Sequence, residues 1–122
     1  MTDMNTADQI WNRAALESGG TSPGEGDRAL TALLLAHGMV MNGGVMHAVE
    51  VLSHEEFAGA VSGYRYFSLE EAATVLERAA VNIELGEDGF DRQYAETIWE
   101  DSVIVKRFEQ KLAASPMAFS PL

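Results

Sequence analysis

The run from Ala29 to Met41, interrupted only by Thr31, His37 and Gly38, constrains this chain more than any other stretch. Leu30, Leu33, Leu34, Leu35, Met39 and Val40 fall on nearly every side of a helical wheel, and a helix apolar all round belongs inside a bundle. Its start is marked by Ser22-Pro23-Gly24-Glu25, with a capping Ser, Pro at the first helical position and Glu at the third. Its end is marked by Asn42-Gly43-Gly44, where two glycines make continued helix costly and permit positive φ. The run is too short to cross a bilayer, which takes roughly 20 residues. It predicts a central apolar helix over about residues 24–41, followed by a structural turn at Asn42, Gly43 and Gly44.

The rest of the chain supplies helices to pack around it. Ala7, Ile10, Trp11, Ala14 and Ala15 are spaced for a helix over 6–18, stopped by Gly19-Gly20. A short helix is expected from Val45 to about Leu52. Ser53-His54-Glu55-Glu56 is a capping box that opens another toward Val61, and Ser68-Leu69-Glu70-Glu71 repeats it after the aromatic cluster Tyr64, Tyr66 and Phe67. That helix is expected to run to Leu85 with Gly86 as its C-cap. Asp91 then caps a long last helix with the stripe Tyr94, Ile98, Val105, Phe108 and Leu112. Residues 113–122, with two prolines, read as an extended or frayed tail that packs, if at all, through Phe119. No stretch alternates apolar and polar residues between turn signals as a strand would. The expected fold class is therefore all-α: residues 1–122 as a single domain, a bundle of about five or six helices.

The chemistry-bearing residues are few. The chain has no cysteine, which removes disulfides, thiolate nucleophiles and Cys-based metal sites. Of the three histidines, His37 sits in the apolar helix, where a hydrogen-bonded core imidazole is the simplest role. His47 and Glu50 lie three apart, but His54 does not complete the His-Glu-x-x-His zinc spacing. An EF-hand loop with Gly89 in sixth place would put Gly86 third and Ala95 twelfth, and so lacks two ligands. No nucleophile elbow, phosphate loop or dinucleotide fingerprint occurs. The expectation is a non-enzymatic protein with no catalytic residue, no metal and no cofactor. The competing reading is a ligand or enzyme pocket near Asn42, His47 and Glu50. The N-terminus lacks the basic start and apolar core of a secretory signal, so a cytoplasmic location is expected.

Charge is the remaining signal. The chain has 8 Lys+Arg and 19 Asp+Glu, a formal net charge of −11. Direct nucleic-acid binding relies on cations that neutralise phosphates and is not expected here, nor is docking on anionic lipid. More than half of the imbalance lies in residues 84–101, where Glu84, Glu87, Asp88, Asp91, Glu96, Glu100 and Asp101 face only Arg92. Acids favour helix N-termini, which accounts for those near Asp91 but not for Glu100 and Asp101 two turns into one long helix. Those seven carboxylates are the candidate partner-binding residues, for a basic protein surface steered in by charge. A merely solubilising surface is the alternative. The sequence leaves a homodimer open.

The apolar helix running into Asn42-Gly43-Gly44, the linking helix, and the helix beginning Leu69-Glu70-Glu71-Ala72-Ala73 together resemble a bacterial all-helical domain family. That family is largely uncharacterised and includes a DNA-mimic protein. The resemblance spans roughly residues 28 to 112 and departs from the family pattern after the glycines, at Val45, Met46 and His47. It implies an acidic protein that presents carboxylates where DNA presents phosphates, so as to occupy a DNA-binding protein. An immunity-type or antitoxin-type protein neutralising a toxin through the same face is a second possibility in this class.

Overall fold

A computed structural model describes residues 5–81 and 86–122, and every regular element among them is helical. In chain order these are α1 (Thr6–Glu17), α2 (Glu25–Gly43), α3 (Val45–Val51), α4 (His54–Tyr66), α5 (Glu70–Val81), α6 (Gly86–Thr97) and α7 (Asp101–Ala114), then a 3-10 turn over Pro116–Ala118. The all-α expectation holds, with more helices than expected. α5 is described as far as Val81; its expected end at Leu85 falls in residues 82–85, which lie outside the described residues.

α2 packs against α1, α3 and α4, most extensively against α4, and meets the 3-10 turn. It is not enclosed. Leu30, Leu33, Ala36, His37 and Val40 form its buried stripe at helical spacing, whereas Leu35 is 39% exposed and Met41 67%. The apolar composition of the run thus exceeds what its neighbours cover, and one side of α2 faces outward.

The caps explain where several boundaries fall. Ser53 Oγ accepts from the Glu56 N–H at 3.1 Å and the Glu56 carboxylate accepts from the Ser53 N–H at 2.9 Å, a complete capping box. α4 then continues to Tyr66, so Tyr64 and Tyr66 belong to it rather than to a connecting segment. The look-alike box at Ser68 does not cap: Ser68 sits at φ +62° and α5 begins at Glu70. At the start of α2, Gly24 rather than Ser22 is the N-cap, and its N–H donates to Asp27 Oδ2 at 2.9 Å.

The expected long last helix is two helices. Its buried residues are Tyr94, Ile98, Ile104 and Phe108. From Ile98 to Ile104 is six residues, which at about 100° each leaves the two side chains about 120° apart on one helix. The chain reconciles both with the core by breaking at Ile98–Glu100, where Glu100 is extended at φ −161°, ψ 164°.

The core runs through Tyr64, Phe67, Leu76, Phe90, Ile104 and Phe108. Phe108 meets Trp11, Phe67 and Phe119 at ring separations of 5.7, 6.2 and 5.6 Å, joining α1, α4, α7 and the tail. Phe119 is buried against Gly26, where an added Cβ would come within 2.6 Å of its ring. Beside it, fully buried Asp27 pairs with Arg13 at 2.8 Å and accepts from the Ser120 N–H at 2.7 Å. Arg13 also donates to the carbonyls of Ser120 and Pro121.

Candidate partner-binding face

The carboxylates singled out in residues 84–101 separate into three groups. Glu84 lies outside the described residues. Asp91 and Asp101 serve the fold. Glu87, Asp88, Glu96 and Glu100 are exposed, and among the described residues none of the four is in an ion pair.

Asp91 does not cap the helix it was expected to open. It lies within α6, half-buried, and its Oδ1 accepts from the Val45 N–H at 2.7 Å, so it caps α3 from a neighbouring element. Of the turn Asn42, Gly43 and Gly44, only Gly44 needs its lack of a side chain for backbone conformation, at φ +95°, ψ 171°. A Cβ there would sit 3.0 Å from the Asp91 carboxylate. Asn42 and Gly43 are the last residues of α2, and the His47 ring lies over Gly43. A groove beside the turn is lined by Asn42, Asp91, Tyr94 and Trp99, with neither His47 nor Glu50 in its wall.

Asp101 opens α7 and accepts from His37 Nε2 at 2.8 Å. His37 Nδ1 lies 2.8 Å from the Tyr94 hydroxyl, which in turn bonds the Tyr64 hydroxyl. The Asp101 carboxylate can only accept, so Nε2–H is the donor of that bond, and the Tyr94 hydroxyl bridges His37 Nδ1 and the Tyr64 hydroxyl. Burial pushes both phenols well above the ordinary tyrosine range, so they remain protonated donors. This chain ties α7, α2, α6 and α4 together and ends inside the protein. His37 is the hydrogen-bonded core imidazole that its place in an apolar helix suggests.

The helix break changes the meaning of the charge. Glu100 is the N-cap of α7 and Asp101 its first residue, so both sit where a helix dipole favours acids. Glu87 and Asp88 occupy the first turn of α6, and Glu70 and Glu71 that of α5. Glu96 is different. It stands near the C-terminal end of α6, where the dipole disfavours an anion and the last turn carries no base. Glu87 and Glu96 are nine residues apart and so lie on opposite sides of α6, whereas Asp88 lies about 12 Å along and about 80° round from Glu96.

Around Glu96 a shallow groove runs between α5 and α6 and on to the start of α7. Glu70, Glu71, Glu96 and Thr97 line its whole length, with Gln93 toward one end and Trp99 toward the other. Trp99 is 70% exposed. Glu70 is already paired with Arg65 at 2.9 Å, and Arg65 also holds Glu77, lowering its carboxyl below the usual range. Glu71 and Glu96 have no ion pair among the described residues. The roles of Glu70, Glu71 and Trp99 were not read from the sequence; an aromatic set between Glu96 and Glu100 was the available signal.

Among the described residues no three His, Asp or Glu side chains converge as metal ligands, and no helix is long and apolar enough to cross a membrane. No curated protein and no solved structure matches the chain. The family model for DMP19-like protein matches residues 23–114, three quarters of the sequence and the whole span of the resemblance carried by the Asn42-Gly43-Gly44 and Leu69–Ala73 segments, and the chain belongs to that family.

Proposed function

We propose that this protein is a non-enzymatic interaction protein that binds a basic protein surface through exposed carboxylates, in the manner of a DNA mimic. The observation that carries the reading is that Glu87, Asp88, Glu96 and Glu100 remain exposed and without an ion pair among the described residues. Unpaired carboxylates at the surface accelerate the approach of a basic partner and offer charge-assisted acceptors to its Lys and Arg side chains. Glu96 adds weight, since its position near the C-terminal end of α6 is not accounted for by the helix dipole. Membership in the DMP19-like family supports the same reading.

The test is capture from a native lysate with the wild-type chain and with a variant carrying Glu87, Asp88, Glu96 and Glu100 changed to Lys. Asp91 and Asp101 stay intact because they hold the fold. The wild type is expected to retain DNA-binding proteins that are released by duplex DNA and by about 0.5 M salt, and the variant to retain none. Equal capture by a folded variant overturns the proposal.

A further inference from the structure

We infer that residues 119–121 are held as a ligand would be, in a peptide seat at the start of α2, and that the same segment of a second copy of this chain is the partner the seat takes. The inference is independent of the acidic-face reading. Three observations carry it. First, the seat reads backbone: Asp27 accepts from the Ser120 N–H at 2.7 Å, and Arg13 donates to the carbonyls of Ser120 at 2.9 Å and Pro121 at 3.2 Å. Second, it takes one ring. Phe119, extended at φ −112°, ψ 136°, is buried edge-on to Phe108. Its ring fills the space that a Cβ on Gly26 would need, and the Ala118 carbonyl fills the space that a Cβ on Gly24 would need. Third, the frame of the seat does not depend on its occupant, because Arg13 and the Gly24 N–H hold fully buried Asp27 from outside the segment.

The occupant follows from the order of these groups. An apolar ring, then an N–H and two successive carbonyls on one strand, describe residues 119–121 and therefore the same residues of another copy. Pro121 supplies its carbonyl and has no N–H to leave unpaired. The tether suits exchange: Ser115 leaves α7 at φ −139°, ψ 62°, and none of Pro116–Ala118 is buried. Exchange between two copies restores the contacts of the closed chain. The balance then rests on protein concentration against the effective concentration of the tethered segment, on the order of millimolar for a short linker. Since the segment is docked in its own chain, a free copy must bind with a Kd below that value.

The test pairs two full-length chains. Phe119→Ala spoils the segment and empties the seat; Gly26→Val blocks the seat and frees the segment. Isotope-labelled Phe119→Ala is titrated with unlabelled Gly26→Val at about 0.15 M salt, where repulsion between acidic copies is screened beyond about 8 Å. The Gly24 and Gly26 amides of the labelled chain should shift saturably, half-way below about 1 mM, and a heterodimer should appear by sedimentation. An unlabelled chain carrying both substitutions should shift neither amide. No saturable shift up to about 2 mM, or an equal shift with the doubly substituted chain, overturns the inference. Ser120→Pro, which removes the N–H that Asp27 accepts, replaces Phe119→Ala if that chain does not fold, and Gly24→Val replaces Gly26→Val. If neither variant of a pair folds, segment and seat are parts of one core and the inference fails.

Discussion

Gly44 holds a backbone conformation at φ +95°, ψ 171° that is essentially closed to residues with a side chain, and it does so against the Asp91 carboxylate. Gly44→Ala is therefore expected to cost about 1–3 kcal/mol, from backbone strain and from displacing that carboxylate. Asp91→Ala should cost about 1 kcal/mol, as for loss of a helix cap. Because both act on the Val45 N–H, the double variant should lose less than the sum of the two, which thermal or urea unfolding of the four proteins would show. Additive losses would mean that the glycine and the carboxylate are independent. The turn was legible as a turn in Asn42-Gly43-Gly44. Which glycine carried the geometry, and which carboxylate met it, depended on an approach of α6 that no local pattern encodes.

Among the helices, two segments with the same Ser-x-x-Glu pattern behave oppositely. Ser53→Ala removes a working cap and should cost about 1 kcal/mol. Ser68 occupies the left-handed region at φ +62° and caps nothing, so Ser68→Gly should be neutral or stabilising by up to about 1 kcal/mol, as a shift in melting temperature. A loss at Ser68→Gly comparable with that at Ser53→Ala would contradict this assignment. The helical class and the positions of α1, α3 and the start of α4 could be read from periodicity and glycine stops. The split between α6 and α7 was also present in the spacing of Ile98 and Ile104, but Val105 fits a continuous stripe equally well, and only the core decides between them. The split matters for the proposed function, because it turns Glu100 and Asp101 into ordinary helix-start acids and leaves Glu96 as the one candidate carboxylate among the described residues placed against its dipole. Burial of Asp27 against Arg13 and the tail had no local signal. Asp27→Ala should cost about 3 kcal/mol or more and increase amide exchange at Phe119 and Ser120, since it strips a partner from a nearly buried guanidinium and an acceptor from the Ser120 N–H.

For the molecule as a whole, two kinds of charge chemistry are separable. Inside, Tyr64 and Tyr94 fold as neutral phenols with pKa values raised by burial above the ordinary 10.0. Their contribution to stability is therefore present in full below pH 10 and is lost as pH rises beyond it, because the unfolded chain releases those protons first. Urea unfolding from pH 8 to 11.5 should show stability falling above pH 10, with a shallower fall in Tyr64→Phe; an unchanged slope would place the lost protons elsewhere. Outside, in the proposed function, the acidity is what a partner meets: Asp91 caps α3, Asp101 accepts from His37 while its side chain stays 74% exposed, and Glu71 joins Glu96 from α5. The most direct test of the account is competition between this protein and duplex DNA for a captured DNA-binding partner. The account predicts mutual exclusion, with the variant carrying Lys at positions 87, 88, 96 and 100 unable to displace DNA; a stable ternary complex, or undiminished competition by that variant, would contradict it.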